Sequence, residues 1–89
     1  MKELYLQVMF RKGYPIAAYL YLPRQAGEKS YRTAKVGPCI IIDFAQSGQP
    51  IGIEITAPAM VTAASINRVL KDLGVPQINH AELAPLQAA

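Results

Sequence analysis

The sequence predicts an α+β domain: a small antiparallel β-sheet of four to five strands, arranged as a meander of hairpins, with one C-terminal amphipathic helix packed on one face. Three observations lead to this prediction. Polar and apolar residues alternate along the N-terminal part of the chain, as they do in half-buried strands. Two isoleucine-rich runs near the middle flank a short loop that contains a glycine. After residue 58 the apolar residues recur with the period of a helix.

Length and composition indicate one small domain. The chain has 89 residues, of which 52% are hydrophobic and 17% are charged, whereas globular proteins average about 25% charged residues. This composition excludes a disordered chain, a collagen and a coiled coil. It also leaves little charge to coat a small monomer, which favours self-association or a partner. We expect a single domain over residues 1–76 and a tail over residues 77–89 that is either flexible or partner-docking.

The first two predicted strands form a hairpin. Residues 3–11 alternate between an apolar side and a more polar side that also includes Met9, and residues 16–22 alternate again. Between them, Gly13 and Pro15 supply the residue types that tight turns need. The apolar side of the two runs consists of Leu4, Leu6, Val8, Phe10, Ile16, Ala18, Leu20 and Leu22. Two alternating runs joined by a short turn are typical of antiparallel pairing.

The remaining strands follow a polar loop over residues 23–30. Residues 31–36 alternate more weakly and predict an edge strand, where the charge of Lys35 would discourage further strand pairing. Residues 39–44 and 51–56 are rich in β-branched residues and are separated by a short loop, so they predict a second hairpin.

A helix is predicted over residues 62–73. The hydroxyl of Thr62 can accept a hydrogen bond from the first turn, which makes this residue a suitable N-cap. The helical spacing collects one apolar stripe, consisting of Ile66, Val69, Leu70 and Leu73. Gly74 and Pro76 follow as a stop signal, so we expect the stripe to cover the apolar face of the sheet.

The net charge of +3 is unevenly distributed. Residues 1–35 carry seven basic and two acidic side chains, a net charge of +5, whereas residues 36–89 carry two basic and four acidic side chains, a net charge of −2. A basic half can bind phosphate groups or an acidic surface. The alternative, which a modest net charge favours, is a solvated rim without a partner.

Cysteine content and hydropathy bear on compartment. Cys39 is the one cysteine, which excludes an intrachain disulfide and a cysteine-based metal site. The N-terminal residues alternate rather than form the apolar core of a signal peptide, and no run approaches the roughly 18 apolar residues of a membrane span. We therefore expect a cytoplasmic protein without a membrane partner.

One helix covers only one face of the predicted sheet. By alternation, the other face carries Tyr5, Met9, Tyr19 and Tyr21. We predict that this face forms a homodimer or binds a protein, because tyrosine and methionine are enriched at interface cores. The alternative is a nucleic-acid-binding regulator, in which tyrosines of the basic half stack on bases. A third interpretation is that the rings only stabilise cross-strand pairs on a solvated surface.

Asp43 and Glu54 are the candidates for chemistry. They lie on the two arms of the second predicted hairpin and on the same face, opposite each other or on a diagonal. Paired carboxylates can share a proton or hold Mg²⁺ or Ca²⁺, but the sequence offers no spaced set of further acidic ligands. His80 is the one histidine and belongs to the predicted tail, which gives no basis for a catalytic triad. We predict no enzyme: no catalytic residue, no cofactor and no metal site.

Two segments resemble a known family. Residues 17–22 (AAYLYL) look like its ADALYI strand, and residues 40–55 (IIIDFAQSGQPIGIEI) resemble its hairpin with the GIEI signature. The chain is similar over residues 10–57 to domain of unknown function 2283, found in short bacterial and archaeal proteins. Ala17 stands where the family has an acidic residue, so no role of that acid carries over. The resemblance implies a small antiparallel sheet and brings no activity, substrate or cofactor.

The family motif matches this chain at four hairpin positions, which are Asp43, Gly48, Gly52 and Glu54. We expect them to serve hairpin geometry. The glycines would permit the turn or close packing, and the carboxylates would order the loop.

Overall fold

The computed structural model describes residues 4–24 and 27–75. They form an antiparallel sheet of five strands and one α-helix, with a 3-10 turn over Pro58–Met60. The strands are β1 (Tyr5–Arg11), β2 (Tyr14–Tyr21), β3 (Arg32–Val36), β4 (Ile40–Phe44) and β5 (Pro50–Ile55), and the helix is α1 (Ala63–Asp72). An α+β fold with a five-stranded antiparallel sheet is confirmed. The predicted tail over residues 77–89 lies outside the described residues.

The prediction of a meander is wrong. The strands follow the spatial order β1-β2-β5-β4-β3, so β5 enters the sheet between β2 and β4. Strands β2 to β5 therefore form a Greek key, in which three hairpin-connected strands lie beside a fourth strand reached by a longer connection. The physical reason is burial. Strand β5 has four buried residues and takes the centre of the sheet, whereas four of the five residues of β3 are exposed and this strand takes the predicted edge.

The core lies between one face of the sheet and α1. Leu20, Ile53 and Ile55 are at most 1% exposed and belong to one cluster with Ile66 and Leu70 of the helix. Burying each such aliphatic side chain contributes about 1.5–3 kcal/mol to folding. This packing joins the helix to β2 and β5, which are neighbours in the sheet.

Ile16 departs from its predicted place in the core. The pairing of β1 with β2 is irregular after Met9. Met9 pairs with Ala17, but the next residue, Phe10, pairs with Pro15, so Ile16 has no partner on β1. Ile16 is 48% exposed as a result. A bulge of this kind cannot be seen in alternation alone.

Both ends of α1 are closed by local hydrogen bonds. The Thr62 hydroxyl accepts from the backbone N–H of Ser65 at 3.1 Å, and the Ser65 hydroxyl accepts from the backbone N–H of Thr62 at 3.0 Å, a capping box. At the other end, Gly74 has a φ of +73° and the Val75 N–H donates to the Leu70 carbonyl at 2.9 Å. This is a Schellman motif, which favours glycine because of the left-handed backbone. Within the described ranges, no helix has the length and apolar character needed to cross a membrane.

Candidate functional site

The sheet face opposite α1 is built from two rows of side chains. Paired residues on adjacent strands lie on the same side of a sheet, so the strand register defines each row. The first row is Tyr5, Tyr21, Gly52, Asp43 and Thr33. The second row is Gln7, Tyr19, Glu54, Ile41 and Lys35. Since the alternate residues of these strands pack against the helix, the two rows belong to the other face, which we call the tyrosine face.

The structure places the four predicted interface residues on the tyrosine face or along its β1 border. Tyr5 is 53% exposed and Met9 is 54% exposed, while Tyr19 and Tyr21 are half-buried. Their placement follows from the alternation seen in the sequence. Their role as an interface stays a prediction.

Three tyrosine rings of this face pack against one another. The rings of Tyr5 and Tyr21 have centroids 5.5 Å apart, and those of Tyr19 and Tyr21 meet edge to face at 4.7 Å. The Tyr21 hydroxyl also donates to Gln7 Oε1 at 3.1 Å, and the Arg24 guanidinium lies 5.6 Å from the Tyr21 ring centroid. Aromatic pairs in this distance range are attractive beyond their buried area. The contacts hold the rings in one arrangement, so a partner would meet a preordered surface.

Tyr19 reaches across β5 to β4. Its hydroxyl donates to Asp43 Oδ2 at 2.5 Å, and its ring lies directly over Gly52. A Cβ atom at position 52 would overlap the ring and hydroxyl of Tyr19, so glycine is required there. The other carboxylate oxygen, Asp43 Oδ1, accepts from the Ser30 hydroxyl at 3.2 Å, which connects the β2–β3 loop to the same centre.

Burial raises the pKa of the Tyr19 hydroxyl well above its usual range. The hydrogen bond to Asp43 and the charge of this carboxylate raise the pKa further, and nearby Arg24 opposes them in part. Tyr19 is therefore a neutral donor at physiological pH.

The four family-motif positions lie on β4, on β5 and in the turn between them. Asp43 pairs with Gly52 and Glu54 pairs with Ile41, so the two carboxylates lie on a diagonal, one of the two predicted arrangements. Gly48 has a φ of +91° in the β4–β5 turn, where only glycine is unstrained. The Glu54 side chain is exposed and forms no hydrogen bond or ion pair with another residue in the described ranges.

Sequence reasoning missed the Tyr19–Asp43 pair. The two residues are separated by 24 positions and by the whole width of β5, whose place in the sheet was not predicted. A signal was present in Gly52, because an interior strand position without a side chain often marks a close approach of another group.

An open groove of about 260 Å³ runs over Ala17 on the tyrosine face. Its walls are formed by Gln7, Met9, Tyr19, Tyr21 and Glu54. The small side chain of Ala17 leaves the space between these larger neighbours. The groove therefore combines aromatic rings, a thioether and one carboxylate.

A second cavity of about 470 Å³ lies between residues 27–31 and 45–47. The Ser47 hydroxyl donates to Glu28 Oε2 at 3.1 Å beside it. Its lining is polar and apolar in about equal parts.

Metal-ligating residues do not cluster within residues 4–24 and 27–75, where no three histidine, cysteine, aspartate or glutamate side chains come together. Cys39 is a half-buried free thiol. His80 lies outside the described residues.

Comparison with known proteins supports the resemblance seen in the sequence. No curated protein and no solved structure shows significant similarity to this chain. The model of the family described as "Protein of unknown function (DUF2283)" matches residues 17–57. The match begins within β2 and extends past the end of β5, so it covers most of the Greek key and leaves β1 and α1 outside. The resemblance to the DUF2283 family of proteins of unknown function is therefore confirmed over residues 17–57.

Proposed function

We propose that this chain is a non-enzymatic module that forms a homodimer through the tyrosine face. The observation that carries the proposal is the cluster of Tyr5, Tyr19 and Tyr21, whose rings are packed against one another on the sheet face opposite α1. Aromatic residues and methionine are enriched at the centre of protein interfaces. Because these rings are already ordered, association would cost little side-chain entropy.

Charge favours a second copy over a nucleic acid. The tyrosine face carries Asp43 and Glu54 together with Lys35, and Arg24 lies beside Tyr21. Two carboxylates oppose the approach of a polyanion, whereas a face with both signs of charge can be complementary to its own copy. The nucleic-acid alternative rests on the basic N-terminal half and receives less support from this face.

Sedimentation velocity of the purified chain tests the proposal. We expect a dimer at micromolar concentration that persists at high salt, and we expect Tyr21→Ala to weaken the dimer by about ten-fold or more, because truncation of a central aromatic residue acts in both copies. Tyr14→Ala is the matched control. Tyr14 is a 61% exposed tyrosine at the other end of β2, in the part of the hairpin that is not paired with β5.

Two results would contradict the proposal. One is a monomer at tens of micromolar, and the other is equal dimerisation of Tyr21→Ala and the unaltered chain. An electrophoretic shift of single- or double-stranded oligonucleotides at 50 mM salt, lost steeply as salt rises, would instead support the nucleic-acid alternative.

A further inference from the structure

We propose that, in the homodimer, Lys35 of each copy enters the groove of the other copy and places its ammonium group beside Glu54. This inference rests on the proposed self-association through the tyrosine face. It adds the contact that would set the relative position of the two copies.

The groove has the chemistry of an alkylammonium site. Glu54 supplies a negative charge at one wall, and Tyr19 and Tyr21 supply ring surfaces that attract cations. Tyr21 already has the guanidinium of Arg24 at 5.6 Å from its ring centroid, and Arg24 does not line the groove. The thioether of Met9 and the small Ala17 side chain leave apolar room for a methylene chain.

Lys35 is the described lysine that the strand register places on the tyrosine face. It pairs with Ile41, which pairs with Glu54, so all three belong to one row. The other described lysines lie in a turn, a loop and the helix, at Lys12, Lys29 and Lys71. Lys35 and Glu54 are two strands apart in one copy, about 10 Å, with Ile41 between them. Both are exposed, and within the described ranges neither forms an ion pair.

Two-fold symmetry can bring these charges together. Consider two tyrosine faces in contact, related by an axis that runs parallel to the strands between β5 and β4. Strand β2 of one copy then faces β3 of the other, because the spatial order is β1-β2-β5-β4-β3. Within the shared row, Lys35 of the second copy then lies over Tyr19 of the first copy and beside Glu54 of the first copy. The Glu54 carboxylates of the two copies are offset from each other. The contact occurs twice in each dimer.

A charge exchange tests this contact by sedimentation equilibrium. We expect Lys35→Glu and Glu54→Lys each to weaken the dimer by about ten-fold, since each reversal creates two repulsive contacts per dimer. The double variant should return to within about three-fold of the unaltered chain. Lys71→Glu is the control: it makes the same change of charge on α1, which packs on the other side of the sheet, and it should leave the dimer unchanged.

The outcomes separate this inference from the proposed function. If Tyr21→Ala dissociates the dimer but the two reversals act independently in the double variant, the dimer stands and the Lys35–Glu54 contact is overturned. If the unaltered chain is a monomer, both are overturned. All four residues changed here are exposed or half-buried, and thermal melting of each variant checks that the fold is retained. Where a charge reversal does not fold, Lys35→Gln and Glu54→Gln replace it, and each should weaken the dimer by about three-fold.

Discussion

Tyr19 links three strands through one side chain. It originates on β2, its ring lies over Gly52 of β5, and its hydroxyl donates to Asp43 of β4. Two of the family-motif positions therefore have a common explanation. Gly52 makes space for the ring, and Asp43 accepts the hydrogen bond at its end.

Gly52→Ala should destabilise the domain by about 1–3 kcal/mol, because the added Cβ overlaps the Tyr19 ring and forces it out of place. Chemical denaturation measures the free energy of unfolding. A double-mutant cycle with Tyr19→Ala supplies the control, since removal of the ring should relieve most of the cost of the alanine. Additive effects of the two substitutions would contradict the close approach.

The raised pKa of Tyr19 predicts a loss of stability in alkali. A group whose pKa is higher in the folded state contributes its stability fully below its unfolded pKa, about 10 for tyrosine, and loses it as the pH rises through the folded pKa. We expect the difference in unfolding free energy between the unaltered chain and Tyr19→Phe to be constant below pH 10 and to shrink above it. The control variant, Tyr14→Phe, should show no such change. If the stability difference between the unaltered chain and Tyr19→Phe did not depend on pH up to the alkaline limit of folding, the raised pKa of Tyr19 would be refuted.

Elements whose signals are local were the ones that the sequence predicted best. The predicted helix over residues 62–73 differs from Ala63–Asp72 by one residue at each end, because the cap, the stripe and the terminal glycine are all within the segment. The hairpin of β4 and β5 likewise follows from two β-branched runs and the turn at Gly48. The Tyr19–Asp43 hydrogen bond, which joins β2 to β4 across β5, has no such local signal.

Thr62→Ala should lower the free energy of unfolding by about 1 kcal/mol, because it leaves the Ser65 N–H without its side-chain acceptor. Urea denaturation followed by circular dichroism would measure the change. Thr56→Ala is a suitable control, since Thr56 is also exposed and its side chain caps no helix. Equal stability of the two variants would show that the capping box contributes nothing.

At the scale of the whole molecule, the order of the strands in the sheet could not be predicted from the sequence. An alternating run shows that a strand has one buried face, but it does not say which strand lies beside it. The choice of β5 as the neighbour of β2 depends on the packing of Leu20, Ile53 and Ile55 under α1. Packing among residues so distant in the chain is a property of the assembled core, so the tyrosine face was predicted while its neighbours across β5 were not.

The central place of β5 has a consequence for synthesis on the ribosome. The edge of β2 that faces away from β1 pairs with β5. This edge has no strand to pair with until Ile55 has been synthesised, 34 residues after Tyr21. At about 5–20 residues per second this is a delay of about 2–7 s, during which the β1–β2 hairpin exists as an isolated two-stranded unit, marginal in water. The nascent chain therefore carries its tyrosine-rich hairpin unsupported for seconds. The last strand to emerge joins the two halves of the sheet.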